Sequence, residues 1–131
     1  MTDAALHEAR ETLRAATVDE HRAYRSLMEE LEAIDWYTQR IDASSDEELK
    51  SVLAHNRDEE KEHAAMVLEW LRRRDPVLDR YLRAYLFTEA PIPEIEHEIE
   101  EDVAADAPAG RGRGLGIGSL LTSPSLGSEQ Q

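Results

Sequence analysis

Two long amphipathic segments, separated by a single turn signal, constrain this chain more than any other feature. In the first, Leu6, Leu13, Tyr24, Leu27, Leu31 and Ile34 recur at spacings of three, four and seven, or sums of these. In the second, Leu49, Val52, Leu53, Asn56, Ala64, Val67 and Leu71 follow the same period. That period is helical and gathers each set onto one stripe. The spacing predicts a helix from about Ala4 to Arg40, a turn over Ile41-Asp42-Ala43-Ser44-Ser45, and a second helix from about Asp46. Ser45, with Glu48 three residues later, has the capping-box pattern. Asp75-Pro76 ends the second helix and opens a third, whose apolar face is Val77, Leu78, Tyr81, Leu82, Tyr85 and Leu86. Two long helices bury only one stripe against another, so self-association is the natural remedy. The expected fold is all-α: an antiparallel two-helix hairpin plus a short third helix, dimerising into a four-helix bundle.

Composition narrows the chemistry. A chain of 131 residues with one Phe and few β-branched runs suits a single modest helical domain. The sequence has no Cys, which excludes disulfides, thiolate metal sites and cysteine nucleophiles. Any metal is therefore held by carboxylate, imidazole, carbonyl or water, a set that suits Fe, Mn, Mg, Ca or Zn. A net charge of −14 opposes binding to a phosphate backbone and attracts cations. Met1 to Glu8 lacks the basic start and apolar run of a signal peptide, and no stretch approaches the roughly 18 apolar residues of a membrane span. A cytoplasmic helical protein is expected.

Three residues interrupt the apolar stripes. Glu30 follows Leu27 by three and precedes Ile34 by four. Glu60 lies seven after Leu53 and seven before Val67, and His63 lies seven after Asn56 and four before Val67. Glu-x-x-His alone is a weak signal, and the run Asp58-Glu59-Glu60-Lys61-Glu62 reads equally as a solvated face. Phase argues otherwise, because an unpaired carboxylate on a buried stripe costs several kcal/mol, of the order of 3–5. Register agrees, since Glu30 is fifteen residues before Ser45 and Glu60 fifteen after it. In an antiparallel hairpin the three side chains converge at one level. Carboxylate bundles build two metal positions from a Glu on each of two helices and a Glu-x-x-His on each of the other two. This chain supplies half of that set, so a two-fold axis would complete a paired-metal site. Paired Fe(II), Mn or Zn all fit these ligands, and Ca, Zn or Mn also suit the outer positions.

Two further stripes carry metal-binding residue types. Glu29, Glu32 and Trp36 are spaced i, i+3, i+7, and His55, Glu59 and Glu62 are spaced i, i+4, i+7. Either is a weaker cation site, a feeder, or a solvated flank. Tyr37, one heptad after Glu30, is placed to act as a donor or redox partner to the metals, or as an interface residue. His7, His21 and His97 receive no function. Thr88 to Pro93 breaks the pattern, and Glu94 to Asp102 reads as either a short acidic helix or unfolded chain. Residues 1–93 then form the helical half-bundle, 94–114 an acidic and then flexible linker, and 115–131 a tail. In that tail, the glycine-studded island Leu115 to Leu121 cannot build a core. It reads as a linear motif whose Leu115, Ile117 and Leu120 fill pockets on a partner, gaining avidity from several copies, or as chance hydrophobics.

Met28 to Tyr37, Leu53 to Met66 and Tyr85 to Glu89 together resemble the encapsulated ferritins, with a likeness running over about residues 18–93. Leu115 to Leu120 is similar to the peptide that docks such cargo inside encapsulin shells. The resemblance implies a ferritin-like bundle and a ferroxidase that oxidises Fe(II) to Fe(III) at a di-iron centre formed only across a subunit interface. On that likeness Glu30, Glu60 and His63 are the iron ligands, with Tyr37 beside them. Glu29, Glu32 and Trp36 form an outer site through which metal reaches the centre, and His55, Glu59 and Glu62 a peripheral one. The resemblance further implies an annular decamer housed in an encapsulin nanocompartment, whose shell stores the iron. The extension Leu121 to Gln131 departs from the family pattern. Two other functions fit the residues: a non-catalytic, metal-dependent helical oligomer, and an adaptor recruited to a shell through its tail.

Overall fold

The structure, a computed structural model, describes residues 6–107 of the 131. Among them there is no strand, and the order is a 3-10 turn Arg10–Thr12 followed by α1 (Ala15–Ala43), α2 (Glu47–Arg74), α3 (Pro76–Tyr85) and α4 (Ile92–Asp106). The chain divides into two units, residues 1–88 and 89–131. The tail motif at Leu115, Ile117 and Leu120 lies outside the described residues.

The first unit is the expected hairpin with a third helix. Helices of 29 and 28 residues run side by side over a length of about 42 Å. The connection is only Ser44 to Asp46, and Asp46 caps α2 by accepting a hydrogen bond from the Leu49 N–H at 2.8 Å. The cap is thus Asp46 rather than the expected Ser45, whose partner Glu48 falls instead in the first helical turn. A shorter aspartate arm reaching the third N–H replaces the reciprocal box, and Ser44 Oγ accepts from the Asp46 N–H at 3.2 Å. Loss of such a cap costs about 1 kcal/mol. Glu47 and Glu48 in the first turn and Arg72, Arg73 and Arg74 in the last complement the helix dipole.

Helix α1 begins eleven residues later than its apolar period predicts. Thr12 is the reason: its hydroxyl donates to the Ala9 carbonyl at 2.7 Å, closing a 3-10 turn, and Leu13 and Arg14 then run extended. Local side-chain bonding of this kind competes with the helix. Leu6 and Leu13 matched the heptad without belonging to it.

Asp75 ends α2 and caps α3 as expected, accepting from the Val77 and Leu78 N–H groups at 3.0 Å each, with Pro76 in the first turn. Helix α3 closes one residue early, at Tyr85. Phe87 follows with φ 61, in the left-handed region that a bulky side chain enters only at a cost, and it is fully exposed. The break after α3 falls two residues earlier than predicted, over 86–91 rather than 88–93. Helix α4 starts at Ile92 with Pro93 in its first turn, which settles the open reading of Glu94 to Asp102 as helix.

Burial in the hairpin is a line rather than a mass. Val18, Ala64 and Leu71 are buried, and Leu27, Glu30, Ile34, Leu53, Glu60 and Val67 are half-buried along the seam. Burying a side chain such as Leu71 is worth about 1.5–3 kcal/mol. Tyr24, Leu31, Leu49 and Val52 were expected on the buried stripes, but each is about half exposed in the single chain. Helical phase sets Tyr24 and Leu31 on one flank of the seam and Val52 and Met66 on the other, so both flanks expose apolar side chains.

Candidate metal centre

The seam places two carboxylates and an imidazole at one level. Glu30 comes from the middle of α1; Glu60 and His63 come from successive turns of α2. One ligand atom from each can be chosen so that all three lie within 4.8 Å of one another. His63 Nδ1 is 3.3 Å from Glu60 Oε2 and 3.9 Å from Glu30 Oε2. The glutamate side chains are about one-quarter exposed, while His63, on the flank shared with Val52 and Met66, is half exposed. The cluster is reachable from solvent yet tied to the hairpin's interior.

Its electrostatics are set by two neighbouring carboxyls and an imidazole. Glu30's carboxyl is held above the ordinary carboxylate range, first by its hydrogen bond with Glu60, then by burial and by the Glu60 charge. Glu60 is held below that range because it accepts the bond from Glu30 and stands beside His63. Among the described residues, neither Glu30 nor Glu60 is ion-paired with a Lys or Arg. Arg57 and Lys61 flank Glu60 in sequence, but each reaches Asp58 Oδ1 at 3.1 Å and holds Asp58 below its usual range.

The other sequence-predicted residues are placed differently. Glu29 faces Arg25 at 3.8 Å, Glu32 is exposed, and Trp36 is about half exposed. His55 Nε2 meets Glu59 Oε1 at 3.0 Å, with Glu62 exposed nearby on the same helix. Among the described residues, the only grouping of three or more His, Asp or Glu ligand atoms is the one at Glu30, Glu60 and His63. Tyr37 is half-buried, and the Arg40 guanidinium lies 5.6 Å from its ring centroid.

Sequence reasoning missed the corner between α2 and α3. There Arg72 bonds Glu69 with two nitrogens at 2.6 Å each and also bonds Asp79, while Arg73 and Arg83 add bonds of 2.9 Å to Glu69 and Asp79. The guanidiniums of Arg72 and Arg73 hold Glu69 down to about 2. The Glu69–Arg72–Arg73 spacing i, i+3, i+4 was a readable signal; the Arg72–Asp79 bond was not, because it depends on how α3 turns back.

A seam of two antiparallel helices that brings two carboxylates and an imidazole together defines a class: helical hairpins with a candidate metal-ligand centre. The sequence profile of the EncFtn-like family matches residues 5–89, and the chain belongs to that family. It is 59% identical over 126 residues to an encapsulated ferritin-like protein of Rhodospirillum rubrum, covering 92% of this chain and 90% of that one. It is 54% identical over 92 residues to a ferritin-like protein of Thermotoga maritima, covering 70% of this chain and 81% of that one. A crystal structure of a Nitrosomonas europaea protein superposes with a TM-score of 0.65 at 60% identity, covering 66% of this chain and 96% of that one.

Proposed function

We propose that this protein is a ferroxidase. Two copies pair across the flank of the hairpin that carries His63, bringing two sets of Glu30, Glu60 and His63 together to hold two Fe(II) ions as substrate. Each ion gives up one electron to dioxygen, and the Fe(III) passes on for storage inside an encapsulin shell. One observation carries this reading: two carboxylates and an imidazole converge from two helices, and no Lys or Arg neutralises the carboxylates among the described residues. The donor set fits iron, since hard oxygen and borderline nitrogen ligands suit Fe(II). Three ligands from one chain leave coordination positions open to a second carboxylate and to oxygen.

Each residue has a task. Glu30 and Glu60 supply negative charge whose attraction for the metal grows as the metal gains charge, and Glu30 or its symmetry mate would bridge the two ions across a two-fold axis. His63 ligates through a neutral ring nitrogen, and Tyr37 stands one heptad from Glu30 as a donor or electron source. Glu29, Glu32 and Trp36 form an outer site that gathers cations, with Arg25 as competitor for Glu29. His55, Glu59 and Glu62 form a peripheral site in which His55 and Glu59 are already in contact. Apolar side chains exposed on both flanks support more than one contact surface per chain, in line with an annular decamer. Leu115, Ile117 and Leu120 dock the assembly to the shell; likeness to an encapsulated ferritin-like protein of Rhodospirillum rubrum supports that partner.

Oxygen consumption with Fe(II) tests the assignment. Glu30→Ala and His63→Ala are expected to reduce turnover by at least about 100-fold, beyond the 10–100-fold typical of residues that only support ligands. If both variants oxidise iron at the wild-type rate, the site is misassigned. A protein that binds the metal tightly but turns over no iron is a metal-dependent oligomer instead.

A further inference from the structure

Glu60 requires a hydrogen-bond donor once it holds a cation. A carboxylate that holds a cation accepts hydrogen bonds and donates none, so Glu30, itself a ligand, cannot serve Glu60. Carboxylates that bind metals are generally held in turn by hydrogen bonds to their remaining oxygens. The basic side chains beside Glu60 are engaged elsewhere, Arg57 and Lys61 both at 3.1 Å from Asp58 Oδ1. His63 is itself a ligand.

One neutral side-chain donor lies within a turn. Asn56 lies four residues before Glu60 in the unbroken helix α2, on the same face. Helical side chains lean toward the helix N-terminus, so Glu60 reaches back over the turn that carries Asn56. Asn56 is half-buried on a seam otherwise continued by Leu53, Ala64, Val67 and Leu71. Among the described residues no hydrogen bond or ion pair engages its carboxamide. The carboxamide is therefore free to take a partner at this level of the seam.

We propose that Asn56 is a positioning residue for the metal centre: its Nδ2–H donates to the Glu60 oxygen turned away from the cation and fixes that carboxylate in its ligating orientation. The proposal rests on the reading of Glu30, Glu60 and His63 as ligands of a divalent cation.

Zn(II), which undergoes no redox change, serves as the probe, titrated into the full chain by calorimetry. Asn56→Leu is expected to weaken the tight Zn(II) site roughly 10–100-fold. Its helical circular dichroism should match wild type, and its unfolding midpoint in chelator should be equal or higher, since Leu suits the seam. Asn56→Gln keeps a carboxamide and should recover part of the lost affinity. If Asn56→Leu is not helical, Asn56→Ala takes its place with the same expectation. Wild-type Zn(II) affinity in the donor-less variant overturns the proposal, as does equal loss in the Gln variant. Glu60→Ala separates the two readings: if it too binds Zn(II) normally, the metal-site assignment fails rather than the role of Asn56.

Discussion

The seam at Glu30 and Glu60 and the corner at Glu69 and Asp79 are built from the same kind of residue and treated oppositely. At the corner every carboxylate has a guanidinium, with Arg72 bridging α2 to α3 and Arg73 and Arg83 completing the set. At the seam, the described residues give Glu30 and Glu60 only each other and a histidine. A chain with 15 Lys and Arg has cations to spare, and three of its arginines sit at the corner's carboxylates, within twelve residues of one another. The contrast separates structure from chemistry. Charges satisfied from within hold the fold, and charges left unmatched mark the candidate site.

Substitutions that exchange the two treatments should have the largest effects. Glu30→Gln removes one of the crowded carboxyls, so we expect the unfolding midpoint in chelator to rise by roughly 4 °C, about 1 kcal/mol for a domain of this size. The same variant should lose iron oxidation by at least about 100-fold, whereas Glu69→Gln should leave oxidation unchanged and lower the midpoint. Equal effects of the two substitutions on oxidation would erase the distinction between seam and corner.

Metal should act on the seam alone. Zn(II) or Mn(II) at about 100 times its dissociation constant stabilises the form that binds it by about 2.7 kcal/mol. A rise in midpoint of several degrees is expected in wild type, reversed by chelator and absent from Glu60→Ala. A rise of the same size in Glu60→Ala would place the stabilising site elsewhere.

Acid should act on the corner, with the smallest effect. Glu69 is depressed to about 2 in the folded chain against an ordinary value of 4.5. Its contribution is therefore complete above pH of about 4.5 and is lost as pH falls toward 2, where the folded state must finally take up the proton. Asp79 is depressed by Arg72 and Arg83 and follows the same sign. Because these groups are solvent-exposed, the effect is modest. Urea midpoints at pH 6 and pH 3 should differ less in Glu69→Gln than in wild type.

Much of this was legible before any coordinates, for reasons that differ by feature. The hairpin, the Asp75-Pro76 boundary and the convergence of Glu30, Glu60 and His63 follow from helical period and equal distance from a turn, both of which are local. The start of α1 was not legible, because Thr12 closing on Ala9 left no mark on the apolar spacing. Nor was the exposure of Tyr24 and Leu31. They fit the period of the stripe, but a single facing helix is too narrow to cover side chains so far round the cylinder. The bond from Arg72 to Asp79 crosses a bend whose angle no one-dimensional pattern encodes.

The thin interior of the hairpin has a last consequence. A line of contact between two helices has length but no depth, so nothing along it is far from water. On the proposed reading, an incoming ion needs no tunnel and passes no gate to reach Glu30 and Glu60. In a single chain those carboxylates are open to solvent, so a ferroxidase built on them would be governed by cover rather than access: whatever closes over the flank at His63 would decide when an arriving ion is held.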